Sequence, residues 1–253
     1  MFLSPLRKKI SPRKTVPPER RMLDVDGRLL PLTIKQNERA TRITLRIEPG
    51  GKALNMTVPP GLMRREVDNF IDRHRGWLKT RLAKLVIDTD LSDGSIIPFR
   101  GEDHRIVLTG SLRGLTEAVT LADQKILKVS GLPEYTGRRI ATFLKKQAKL
   151  DLEERARVHA RSIGANIGSI SFKDTRSRWG SCSSSGNLSF SWRIMMAPPL
   201  VIDYLAAHEV AHLKEMNHGP RFWALCQKLC PRMEEAKSWL KQNGSRLHAI
   251  DFD

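Results

Sequence analysis

The residues best suited to chemistry lie between Pro199 and Trp223, in the run PLVIDYLAAHEVAHLKEMNHGPRFW. His208-Glu209-Val210-Ala211-His212 forms an H-E-x-x-H pattern, and His218 follows it. Two histidines four apart on a helix differ in direction by only about 40°, so both imidazoles leave from one face. Such a pair can hold one Zn²⁺, and a third ligand completes a site with a position open to water. A carboxylate one residue after the first ligand can reach that water as general base, the role this spacing offers Glu209. Residues 199 to 215 carry apolar residues at helical spacing behind an initial proline, which predicts the helix that this geometry requires. Asn217-His218-Gly219-Pro220 reads as a break, with Pro220 opening a further helix. His218 is thus expected at a turn between two helices, where a chain doubling back can bring it to the metal.

The elements that must hold this segment can be read on either side of it. A long helix is predicted over 136 to 163, with Ile140, Phe143, Leu144, Leu150 and Leu152 as its apolar positions and Gly164 as its stop. Its place before the metal segment suggests a backing helix. Residues 169 to 198 read as strand, tight region and strand, with Ser185-Gly186-Asn187 turning the chain. Toward the N-terminus, Asp26-Gly27 between two apolar runs signals a hairpin, and Gly50-Gly51 joins the alternating TRITLRIEP to ALNMTVPP. One amphipathic helix follows, with Val67, Phe70, Ile71, Trp77 and Leu78 toward its inner face and a basic outer face. Residues 86 to 96 read as a linker, and further strands surround PFRGEDHRIVL, EAVTLA and KILKVSG. No internal repeat and no nucleotide-binding glycine pattern is visible. The division expected is a basic tail over 1–21, a β-rich portion over 22–133 and a metal-bearing core over 134–253.

Composition bounds the rest. With 253 residues the chain can bury a sizeable core. A formal net charge of +17 attracts polyanions or acidic partners, nucleic acid among them. Three cysteines, Cys182, Cys226 and Cys230, are odd in number and too few for a disulfide framework, which points to a reducing, cytoplasmic compartment. Cys226 and Cys230 lie four apart, but without a second pair they read as buried apolar thiols rather than ligands. No apolar run approaches the roughly 20 residues that span a bilayer.

The run RSRWGSCSSSGNLSFSWRIMMAPPLVIDYLAAHEVAHLKEMNHGPRFW resembles the bacterial and archaeal YgjP-like metal-dependent hydrolases, an M48-type zincin group once known only as a domain of unknown function. The segment ERATRITLRIEPGGKALNMTVPPG and the helix ending RGWLKTRL are similar to that family's N-terminal portion, so the likeness covers roughly residues 28 to 240. Family members often carry Leu or Cys where Val210-Ala211 stand here, at positions that pack rather than react. The resemblance implies an α+β fold, with a zincin-like core of backing helix, small β-sheet and H-E-x-x-H helix behind a β-rich portion with one long helix. It places the metal ligands on His208, His212 and His218 and the catalytic acid/base on Glu209, with one Zn²⁺ per chain.

A zinc metallopeptidase is the function this implies, acting on a polypeptide substrate. The resemblance also suggests that Trp179 to Ser183 and Leu188 to Trp192 form a strand wall along which an extended peptide aligns. Arg178, Arg193, Tyr204 and Asn217 are candidates for stabilising a developing oxyanion. Trp179, Trp192 and Trp223 have the size to line a cleft, but large aromatics in such positions are more often core. Two other classes stay open: a hydrolase of non-peptide substrates such as nucleoside triphosphates, releasing pyrophosphate, and a nucleic-acid-associated zinc protease or structural zinc protein.

Overall fold

The computed structural model describes residues 17–48, 51–83, 91–175 and 178–252. The chain divides into two compact units, Met1–Leu82 and Ala83–Asp253. Among the described residues the fold is mixed α/β, with five α-helices and several small sheets.

The first unit opens on β1 (Glu19–Val25) and β2 (Arg28–Gln36), an antiparallel hairpin joined by Asp26-Gly27. Both turn residues have positive φ, 60° and 79°, as a type I′ turn demands, and the Asp24 carboxylate accepts the Gly27 N–H at 2.8 Å. Glu19 to Arg21, read from sequence as the end of the tail, are the first residues of β1; residues 1–16 lie outside the described residues. β3 (Thr44–Ile47) and β4 (Leu54–Val58) are antiparallel, and β4 runs parallel to β2, so the sheet order is β1-β2-β4-β3. Alternation puts Leu30, Leu32 and Ile34 of β2 and Leu54, Met56 and Val58 of β4 in the core. Helix α1 (Arg64–Ala83) buries Val67, Ile71, Leu78 and Leu82. Trp77, expected on that face, is 46% exposed, and Phe70 is half-buried and stacks on His74. Part of the basic face holds the hairpin, since Arg75 donates to the Asp24 carbonyl and Lys79 pairs with Asp26, both at 2.8 Å.

The same path recurs in the second unit. β5 (Ile96–Phe99), β6 (Glu102–Leu108), β7 (Glu117–Leu121) and β8 (Gln124–Val129) take the order β5-β6-β8-β7, with β6 and β8 parallel and the outer pairs antiparallel. A long helix then follows, as α1 follows the first sheet. No repeat is visible in the letters because this topology needs only alternating apolar positions and two-residue turns. Those turns differ: Arg100-Gly101 and Ala122-Asp123 adopt positive φ with a single glycine among the four residues.

The β5–β6 turn is bonded into the base of the metal segment. Arg100 and Gly101 donate to the carbonyls of Met195 and Met196, and a Cβ on Gly101 would lie 2.8 Å from the backbone of Pro198. With its φ of 78° as well, Gly101 has both steric and conformational reasons to be glycine. Gly101→Ala is expected to cost roughly 1–3 kcal/mol, read as a lowered urea midpoint with the slope unchanged.

Helix α2 (Thr136–Ser162) buries Ile140, Phe143, Leu144 and Leu152, with Ala148, Ala156 and Ala160 permitting close approach to a neighbouring helix. Leu150, expected among the apolar positions, is 59% exposed. Gly164 has a φ of 57° just past the helix end. β9 (Ile170–Lys173), β10 (Gly180–Cys182) and β11 (Leu188–Ser191) form a three-stranded sheet of order β10-β11-β9, which leaves β10 at an edge. Trp192, read as strand, instead opens a 3-10 helix over Trp192–Met196 and is 2% exposed, which makes it core.

Helix α3 (Pro199–Ala211) is buried nearly all round, packed by α2, by α4 (Pro220–Leu229) and by α5 (Met233–Ala249). Asp203 ties α3 to α2, accepting from His159 at 3.0 Å and from Arg155 at 3.2 Å. Burial works against ionising Asp203, but hydrogen bonds from His159 and Arg155 hold its carboxyl below the usual range. Among the described residues, no helix is long and apolar enough to cross a membrane.

Candidate metal centre

The regular α3 helix ends at Ala211, four residues short of the predicted end, and the following turn tightens, with Leu213 donating to Val210. His212 keeps helical dihedrals there, φ −63° and ψ −19°, so it stays on the face that His208 presents. The chain reverses through Asn217 and Gly219, and α4 begins at Pro220. This returns His218 to that face. Its Nε2 lies 3.1 Å from Nε2 of His208, and the ligand atoms of His208, His212 and His218 all lie within 4.8 Å of one another. Nitrogens on a tetrahedral zinc are separated by about 3.3 Å, given Zn–N near 2.0–2.1 Å. The three-histidine cluster could therefore hold a metal ion.

The other ring nitrogens of His212 and His208 are engaged. His212 Nδ1 lies 3.1 Å from the Glu215 carbonyl, which fixes Nδ1 as the protonated nitrogen and frees Nε2. His208 Nδ1 lies 3.3 Å from the Tyr204 hydroxyl. Burial pushes the Tyr204 phenol well above its ordinary pKa, so it stays a neutral hydroxyl. Burial, followed by its two histidine neighbours, pulls His208 down to about 4. A neutral imidazole is the form that ligates metal.

Beneath all three rings lies Phe222, fully buried, with ring centroids 4.9 Å from His208, 4.4 Å from His212 and 4.7 Å from His218. Trp223 stacks on His218 at 5.5 Å and donates its indole N–H to the His218 carbonyl at 3.1 Å. The sequence offers Trp223 as a cleft or core residue but not as a partner of His218, and Phe222 is not singled out there. The signal was their spacing, four and five residues past His218 at the start of an amphipathic helix. Partners that orient a ligand typically change metal affinity 10–100-fold. Trp223→Phe keeps the stack and deletes the hydrogen bond, so metal affinity is expected to fall roughly tenfold, measured by competition with a chelating dye.

Glu209 is buried, 4% exposed, against the edge strand β10. Its contact there is Gly180, where a Cβ would sit 2.5 Å from Glu209 Oε1. Burial raises its carboxyl to about 8, opposed by the Arg178 guanidinium. No hydrogen bond reaches this carboxyl from the described residues.

The remaining predicted residues divide. Arg178, exposed, lines a cavity of about 170 Å³ with Gly180 and Ser181 and is the guanidinium whose charge reaches Glu209. Arg193 is committed elsewhere: it grips Asp174 through two nitrogens at 2.6 and 3.1 Å and donates to the carbonyls of Leu247 and Ile250. Its guanidinium lies 4.9 Å from the ring centres of both Trp192 and Phe252, so it clamps the C-terminus. Trp179 stacks on His248 at 4.2 Å, while its carbonyl accepts the Ser191 N–H of β11. Tyr204 touches the far nitrogen of His208, and Asn217 is exposed on the turn before His218. Cys226 and Cys230 are buried thiols, and burial pushes Cys226 up to about 12. A family model described as "YgjP-like, metallopeptidase domain" matches residues 41–243. No curated protein and no solved structure matches the chain.

Proposed function

The chain belongs to the YgjP-like metallopeptidase-domain family of metal-dependent hydrolases, and on that footing we propose that it is a zinc-dependent peptidase. The observation that carries this reading is the convergence of His208, His212 and His218 beside a buried Glu209 that lies against a free sheet edge. In zincin terms, α2 is the backing helix, β9 to β11 the small sheet and α3 the metal helix. His208, His212 and His218 hold one Zn²⁺, which supplies Lewis acidity toward the scissile carbonyl and a water nucleophile at neutral pH.

The side chains of this chain do the rest. Glu209 takes the proton of the attacking water and returns it to the leaving nitrogen. Its raised pKa suits a group that must both hold and release a proton, and a cation on the histidines lowers that pKa toward neutrality. β10 aligns the substrate. Because Ser191 donates to the Trp179 carbonyl and Ser183 donates to the Asn187 carbonyl, the N–H and C=O of Gly180 and Cys182 face outward. An extended peptide adds to such an edge by backbone pairing, whereas a nucleotide gains nothing from it. Arg178 is the charge best placed to meet a developing oxyanion, and Tyr204 acts as a positioning residue on His208.

Elemental analysis and substrate profiling test this together. We expect about one zinc per chain, lost or much weakened in His218→Ala, and cleavage of a fluorogenic peptide library that stops on chelation and returns with zinc. Release of pyrophosphate from nucleoside triphosphates, abolished by Glu209→Gln and without peptide cleavage, would replace the peptidase reading with the phosphohydrolase one. Wild-type protein that takes up no metal when zinc is offered would remove both.

A further inference from the structure

A second binding site lies apart from the metal. Between β7 and the N-terminal half of α2 runs an open cleft of about 810 Å³ that includes none of the metal-centre residues. β7 is the outer strand of its sheet. It meets β8 through a two-residue turn that sets Leu121 opposite Gln124, Val119 opposite Ile126 and Glu117 opposite Lys128. In such a hairpin the residues flanking the turn form a bonded pair and every second pair repeats it. The backbone N–H and C=O of Ala118 and Thr120 therefore face away from β8, toward the open side, and no hydrogen bond reaches them from the described residues. Natural edges are usually blunted by lysine, proline or a bulge. The β7 sequence EAVTL has none of these, and its only charge is Glu117.

The opposite wall is cationic. Arg138, Arg139 and Lys146 of α2 line it, with Arg100 at one end, against the single carboxylate of Glu117. Arg139 is spent on the Gly114 carbonyl at 3.0 Å, and Arg100 on Asp151 at 3.2 Å. Arg138 and Lys146 are exposed and have no carboxylate partner among the described residues; Arg138 lies 5.4 Å over the Tyr135 ring. An unblunted strand edge facing a helix that carries free cations is the arrangement that takes an extended peptide by strand addition. We propose that this cleft binds an extended acidic segment of another polypeptide, which pairs with β7 and sets alternate carboxylates against Arg138 and Lys146. Nucleic acid satisfies the cations but not the strand edge.

The test is fluorescence anisotropy with a labelled decapeptide of alternating Glu and Thr, on the full chain in the Glu209→Gln background so that the metal site does not consume the probe. Binding is expected to weaken at least tenfold in Arg138→Glu/Lys146→Glu, and equally when alternate amide nitrogens of the peptide are methylated. Both side chains are exposed, and circular dichroism verifies the fold; Arg138→Gln/Lys146→Gln reports the same loss should charge reversal disturb it. Undiminished binding in these variants, or a methylated peptide that binds as well as its parent, would overturn the proposal. So would an oligothymidylate that binds in place of the peptide and is lost in the same variants, which would assign the cleft to nucleic acid.

Discussion

Glu209→Gln abolishes most turnover while leaving the metal in place, with an expected loss of about 10²–10⁴-fold in kcat, the usual worth of a positioned acid/base. Elemental analysis of the same sample is expected to show one equivalent of zinc, because the substitution touches none of the three histidines. The variant also separates chemistry from folding through pH. In the metal-free protein the Glu209 carboxyl sits at about 8, against an ordinary value of 4.5. Below pH 4.5 folded and unfolded chains both hold this proton. As pH rises through the window the unfolded chain releases it and the folded chain does not, so wild-type stability falls until about pH 8. Glutamine removes that dependence. Metal-free wild type should therefore lose on the order of 5 kcal/mol relative to Glu209→Gln across the window, at roughly 1.4 kcal/mol per pH unit. Urea unfolding at several pH values after chelation measures the difference. A constant offset between the two proteins would mean that Glu209 is not desolvated as the fold implies. Zinc shrinks the effect, since a cation beside the carboxylate stabilises its charged form.

The second large effect is expected from a residue with no side chain. Any Cβ at position 180 collides with the Glu209 carboxylate, at 2.5 Å from Oε1 and 2.7 Å from its carbon atoms. Gly180→Val must push Glu209 from its place or bend β10. On the proposed mechanism either outcome removes the base from its water and disturbs the edge that would receive substrate, so kcat is expected to fall as far as in Glu209→Gln, about 10²–10⁴-fold. Overpacking adds roughly 1–3 kcal/mol of destabilisation, which a thermal melt detects and which leaves the fold intact. Gly180→Val with wild-type kcat would show that Glu209 works from a position clear of β10. Metal content distinguishes this variant from a ligand loss: it is expected to stay at one zinc, whereas His218→Ala is expected not to retain it.

Local spacing carried much of the reading. The H-E-x-x-H helix, the long helix before it and the Asp26-Gly27 hairpin are each written within one or two turns of chain, so periodicity and turn chemistry reveal them. The same locality set the errors. Trp77 and Leu150 are apolar and near the right helical phase, yet they fall at the margin of the buried stripe, and only the packed neighbour decides which side of the margin is wet. Arg193 looked free to meet substrate because its partners, Asp174, Leu247 and Ile250, are distant in sequence.

By itself, then, the sequence determined the chemistry on offer: two imidazoles and a carboxylate on one helix, a third imidazole at the next turn, and a family whose motifs match them. Tertiary structure alone decided how that chemistry is held. The parallel pairings of β2 with β4, β6 with β8 and β9 with β11 join segments whose letters show no preference for each other, because backbone hydrogen bonds are indifferent to side-chain identity. The absence of a side chain at Gly180 beside Glu209 is a contact across the core. Close packing creates such constraints between residues far apart in the chain, where no periodicity can announce them.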